Sequence, residues 1–221
     1  MTRSTHAVAP PAIRGAVTGL LVLAGFGTAW ALAGAIALRG WGAPAPALLA
    51  VAPGLALLGR ALALRRAAAR APRDGAEVAA RRRRWFGLVT VVEFASIGAV
   101  VVVGRATRHA ALIAPLVALI VGLHFLPLAA LFRVRAYYAT GAALCLLAAL
   151  ALLLVPAAGT LGGRPVDART AVVGWGAALV LWGTGVGAWL RGRAPRREEG
   201  VRRGRVTGEE VEHAAAPHRA A

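Results

Sequence analysis

The sequence predicts an all-α fold, a polytopic membrane bundle of six transmembrane helices with N-in/C-in topology. Three observations predict it. Of 221 residues, 58% are hydrophobic, and the mean hydropathy is +0.66, where a soluble domain averages about half apolar. The polar residues gather in short clusters separated by apolar runs of about 20 residues, a length that matches the roughly 30 Å hydrocarbon core of a bilayer. The arginines, finally, concentrate on alternate connections, as the positive-inside rule requires.

The six runs are Ile13–Leu38, Ala45–Leu64, Trp85–Val103, Ala110–Phe132, Ala136–Pro156 and Ala168–Leu190, each bounded by arginine, glycine or proline. Residues 1–12 form a short N-terminal tail, 13–190 the transmembrane domain and 191–221 a polar tail. The first run follows a basic start and contains an A-x-A site at Ala29–Ala31, as a cleaved signal peptide would. It continues to Leu38, however, which is long for a signal-peptide core, so it reads as an anchor. Assigning loops alternately puts 21 arginines inside and five outside (Arg39, Arg105, Arg108, Arg164 and Arg169). That asymmetry places both termini in the cytoplasm of a bacterial cell. Trp41 and Trp85 stand where interfacial aromatic belts are expected. The tail mixes eight Arg with five Glu and has little to bury, so it is expected to be disordered.

A net charge of +17 would suggest nucleic acid in a soluble chain. Here the charge lies on inner connections, so no nucleic acid partner is expected. All 26 basic residues are arginine, which reads as the coding style of a GC-rich bacterial genome. Arg81, Arg82, Arg83 and Arg84 close the longest inner loop, Arg65–Arg84, and are a candidate patch for anionic lipid headgroups or an acidic partner. The plainer reading is that a long inner loop collects arginine anyway. Cys145 is the one cysteine and lies in an apolar run, so it forms no intramolecular disulfide.

Of nine acids, eight lie in connections or tail; the ninth, Glu93, is inside the third run. An intramembrane carboxylate costs on the order of 3 kcal/mol on insertion scales and is normally paired, protonated or turned to a cavity. Thr90, Glu93 and Ser96 recur every third residue and share a helical face. His124 is the matching ionisable group in the fourth run. Glu93 lies eight residues past Trp85 and His124 eight before Phe132, so each is about 12 Å from the inner end of its helix. Only six residues, 104–109, join the two runs, which makes them antiparallel neighbours with both groups at one depth. Pro127 deprives the Leu123 carbonyl of its helical donor and is a candidate helix break beside His124, while Pro115 and the pair Pro53–Gly54 interrupt their own runs. Arg60, four residues from the inner end of the second run, either snorkels or reaches toward Glu93. Tyr137 and Tyr138 open the fifth run as interface anchors.

Trp175, Trp182 and Trp189 recur at intervals of seven and form one stripe. Gly183 and Gly187, with Gly15, Gly19, Gly27, Ala31 and Ala35 in the first run, form small-residue surfaces that permit close helix packing and allow a homodimer. A faint echo between "GLLVLAGFGTA" and "GLVTVVEFASI" has no counterpart for Glu93 or His124, so any site belongs to the second hairpin.

The stretch "VGLHFLPLAALFRVRAYYATGA", Val121–Ala142, resembles a segment recurring in a family of small multi-span bacterial membrane proteins. It covers about a tenth of the chain. That resemblance implies a membrane fold but no activity, and no functional residue is carried over from it. No phosphate-binding loop, HExxH, paired CxxC or GxSxG is present, so neither an enzyme nor a cofactor or metal site is expected. Two functional classes remain. One is a small transporter with a polar site in the inner half of the membrane, built on Glu93 and His124 with Arg60, Thr90 and Ser96. The other is a non-transporting scaffold or regulatory subunit whose arginine-rich connections contact lipid or a partner.

Overall fold

The computed structural model describes residues 10–38, 44–68 and 76–191. Its α-helices are α1 (Pro10–Ala37), α2 (Pro44–Ala68), α3 (Ala76–Ala106), α4 (Ile113–Phe132), α5 (Arg135–Leu154) and α6 (Ala168–Arg191). A 3₁₀ turn, Ala110–Leu112, precedes α4, and an antiparallel hairpin, β1 (Gly159–Leu161) with β2 (Arg164–Val166), joins α5 to α6. All six helices are long and apolar enough to cross a membrane. The expectations for the N-terminal tail before Pro10, for Trp41 and for the tail beyond Arg191 lie outside the described residues. The chain divides within α6 into two compact units, residues 1–185 and 186–221. Of the second unit the described part is the last turns of α6, and the packing below is that of the first.

Local chemistry sets the helix ends. Pro10 and Pro44 open α1 and α2, where a missing N–H is harmless. Asp167 caps α6, its carboxylate accepting from the Thr170 backbone N–H at 3.1 Å and the Thr170 hydroxyl at 2.8 Å. The Asp167 N–H donates in turn to the Ala37 carbonyl at the end of α1. At the end of α5 the Val155 carbonyl accepts from Arg169 Nε (3.1 Å) and Nη2 (2.8 Å). Helix α3 ends with Arg108 at φ 60°, His109 N–H reaching back to the Gly104 carbonyl at 2.8 Å, and α4 ends on Arg133 at φ 54°. Both are left-handed terminations of the kind glycine usually supplies.

Three sequence expectations are corrected. Arg81–Arg84 are helical, because α3 begins at Ala76, nine residues before the apolar run. Hydropathy marks where a helix meets hydrocarbon. Ala, Glu and Arg, with no Gly or Pro among residues 76–84, extend the helix beyond that point. Pro127 does not break α4, and Pro53 does not break α2: each helix continues through its proline, which removes one backbone bond from a ladder of many. Pro115 sits buried in the first turn of α4, where proline is tolerated. The hairpin is an element that the sequence reading assigned to a loop. Gly162 and Gly163, at φ 55° and 76°, form its two-residue turn, the conformation that favours glycine at both positions.

The core is built by close helix approach. A Cβ added at Gly174 would lie 2.5 Å from the Gly34 backbone nitrogen, and one at Gly141 would lie 2.6 Å from the Gly122 carbonyl oxygen. The backbones of α1 and α6, and of α4 and α5, therefore meet with no side chain between them. The Trp182 ring fills the space over Gly27 and Trp175 that over Gly34, so the tryptophans of α6 seat on the glycines of α1 at one seven-residue interval. Gly183, in contrast, has nothing within 4 Å of where a Cβ would lie. Leu20, Ala24 and Leu57 with Trp182, and Leu23, Phe125, Leu144 and Leu181, form the two largest buried clusters.

Candidate functional site

Helix α3 turns a narrow stripe to the bundle: Phe86, Thr90, Glu93, Ile97, Val100 and Gly104 are half-buried or buried at alternating intervals of three and four. Most of the rest of the apolar run is exposed, with Trp85, Leu88, Val91, Val92, Val102 and Val103 among it. Along the stripe α3 meets α4 in a ladder. Phe86 and Phe132 stack edge-on at 6.0 Å between centroids, Ile97 packs against the Phe125 cluster, and Gly104 admits the Ile113 side chain. Phe94 also approaches Phe26 of α1 at 6.3 Å.

At the centre of this ladder Glu93 Oε2 lies 3.3 Å from His124 Nδ1, the side chains 6% and 10% exposed. The antiparallel α3–α4 hairpin brings the two together. Among the described residues of α3, Glu93 alone is fully buried, so the helix's one intramembrane acid is also its deepest point of contact. The Val89 backbone, one turn before Glu93, also lies against the imidazole. Nδ1 itself makes no aligned hydrogen bond, and the Thr90 hydroxyl, on the same stripe of α3 as Glu93, is buried without a partner. Buried polar atoms normally find partners, so this small cluster has hydrogen-bonding capacity left over. Chemically it can hold one proton between a carboxylate and an imidazole, with a hydroxyl in reserve.

The other residues singled out in the sequence separate from this pair. Ser96 is half-buried and its hydroxyl donates to the Val92 carbonyl of its own helix at 2.8 Å. Arg60 is exposed on α2. Arg81, Arg83 and Arg84 are exposed on the first turns of α3. Pro127 is exposed on α4, one turn beyond His124. Tyr138 is exposed, whereas Tyr137 packs edge-on against Phe125 at 5.5 Å with its hydroxyl over Gly19.

A second polar contact went unread in the sequence. Thr140 of α5 and Thr184 of α6 are hydroxyl to hydroxyl at 2.7 Å, each also donating to its own helix at Ala136 and Val180. Lone threonines in apolar runs carry no signal of partnership, so only the packing reveals it. Among the described residues no three of His, Cys, Asp and Glu gather as a metal site. Comparison with family models, curated proteins and solved structures finds no match to this chain.

Proposed function

We propose that this multi-pass membrane protein is a small transporter of the bacterial cell membrane, with both termini cytoplasmic and Glu93–His124 carrying a proton or small cation. The reading rests on one observation: two ionisable side chains within apolar helices long enough to cross a membrane, 3.3 Å apart, with a ring nitrogen and a buried hydroxyl on the same stripe of α3 left without hydrogen bonds. Intramembrane ionisable residues are costly and mark ion or proton pathways more often than they serve packing alone. Glu93 would exchange the proton and His124 would receive or stabilise it, with α3 the mobile element because it is the least buried helix. The orientation rests on 21 arginines against five.

A second reading is favoured by the same helix. Because Glu93 is the one fully buried residue among those described on α3, the pair also suits a clasp that holds α3 in a non-transporting scaffold or regulatory subunit, with the exposed Arg81, Arg83 and Arg84 facing anionic lipid or a partner.

The deciding experiment uses purified protein in detergent and in proteoliposomes. Thermal stability is measured against cations, amines and small metabolites from about pH 5.5 to 8.5, and proton flux is followed with an entrapped pH dye. Transport requires a ligand- or proton-linked response that a folded Glu93→Gln loses. A scaffold gives no response, and Glu93→Gln is then less stable at every pH. Orientation is read in a Cys145→Ala background with Ala71→Cys or Thr160→Cys. An impermeant maleimide should label Thr160→Cys on intact cells and Ala71→Cys only after lysis; the reverse pattern would invert the topology.

A further inference from the structure

We infer that the end of the bundle opposite Arg81–Arg84 holds a binding site for an anionic phospholipid, with an acyl chain in a groove between α1, α3, α4 and α6 and the phosphate on Arg105. The groove has a volume of about 670 Å³ and is lined by Trp30, Ala33, Arg105, Ile113, Val117 and Thr170, with Ala110 and Ala114 between them. That volume lies within the range of small-molecule and cofactor sites. Its walls are mostly apolar and it is widely open to the surface, which suits an acyl chain better than a soluble solute.

Position and charge select the occupant. Arg105 is in the last turn of α3, Ala110 opens the 3₁₀ turn before α4, and Thr170 is in the first turn of α6, so the mouth lies at the helix ends, where headgroups sit. Trp30 is seven residues before the end of α1, which carries the groove about 10 Å toward the membrane centre. The mouth is net positive, because Arg105, Arg108, Arg164 and Arg169 lie in or beside the connections here against a single acid. Asp167 is the one acid in the connections at this end, and it is engaged by Thr170. Arg169 is committed to the Val155 carbonyl. Among the described residues, the Arg105 guanidinium makes no side-chain hydrogen bond or ion pair. A cation without a counter-ion, set at the rim of an apolar groove at interfacial depth, is complementary to one chemistry: an anionic head on an apolar tail. The groove shares none of its lining with the Glu93–His124 pair, so this inference stands apart from the transport reading.

The test is native mass spectrometry of the full chain in detergent, titrated with phosphatidylglycerol or phosphatidylcholine of equal chain length. Wild type should retain one phosphatidylglycerol preferentially. Arg105→Gln should weaken that retention about fivefold, toward the level of phosphatidylcholine. Ala110→Phe, which fills the groove at an exposed position without changing charge, should displace both lipids. Arg84→Gln, at the opposite end, should leave the preferential lipid in place. Ala33→Leu fills the same groove from α1 and replaces Ala110→Phe should that variant fail to fold by circular dichroism. Two results would overturn the site: equal losses from Arg84→Gln and Arg105→Gln, which means diffuse surface charge, or full retention in the groove-filling variant. Binding of glycerol phosphate as tightly as phosphatidylglycerol would also overturn it, because the apolar groove would then be idle.

Discussion

Helices α1 and α3 are both long and apolar, yet the bundle holds them in different ways. In α1, 44% of the spanning segment is buried, and in α3 only 6%. Helix α1 is held by shape: Gly27 and Gly34 receive the rings of Trp182 and Trp175, and the backbone of α6 comes into direct contact at Gly174. Helix α3 is held by one narrow stripe with a polar pair at its middle. The difference shows where a polar contact matters in a membrane. Between helices lipid removes the hydrophobic driving force, so association depends on close packing or on hydrogen bonding. Where packing is extensive, apolar residues suffice; where it is thin, Glu93 and His124 carry a larger share.

The largest expected effect breaks the shape-based side. Gly174→Leu places a branched side chain against the Gly34 backbone, which cannot yield as a side chain can. A loss of about 3 kcal/mol or more, or failure to accumulate in the membrane, is expected from overpacking, read by thermal unfolding in detergent. Wild-type stability in this variant would mean that α1 and α6 are not interlocked at Gly34.

Next comes the polar side. Glu93→Gln and His124→Gln should each cost about 1–2 kcal/mol, and the double variant should cost less than their sum, as coupled intramembrane pairs do. Strict additivity in a double-mutant cycle would mean that the two residues do not interact. Hydrogen exchange or protease access should show the loss localised to α3, since α1 does not depend on the pair.

A smaller effect tests the junction between α1 and α6. Asp167→Ala removes the α6 cap and should cost about 1 kcal/mol, whereas Asp167→Asn, which keeps an acceptor, should recover most of it. Equal losses in both variants would indicate that the charge rather than the cap matters.

The smallest effect concerns the threonine contact on α5 and α6. Thr140→Val loses the 2.7 Å bond to Thr184 and should cost about 0.6 kcal/mol, because Thr184 keeps its bond to the Val180 carbonyl. A loss as large as that of Glu93→Gln would erase the distinction between helices held by shape and the helix held by a polar pair.

Much of the candidate site was legible because its logic is one-dimensional. A lone acid and a lone histidine at equal distances from the same end of two helices joined by six residues can be compared along the chain alone. The partnerless Thr90 hydroxyl was legible only as a position on the stripe. That it is buried and without a hydrogen bond depends on how α3 is rotated against α4. Arg105 had been counted only as an outer arginine. The groove it rims is made by four helices, two of which, α1 and α6, are distant from α3 in sequence.

The sequence by itself determined the six apolar helices, because bilayer thickness converts directly into a run length, and the hydropathy of each run needs no partner. It also contained the tryptophan heptad of α6 and the glycines of α1, but on separate helices. Only the tertiary structure decided that Trp175 and Trp182 seat on Gly34 and Gly27, that Gly183 faces open space, and that α3 stands at the edge. Small residues at helical spacing permit close approach on any face where they occur. Which face is used depends on complementarity between two surfaces, and a single run of sequence describes only one of them.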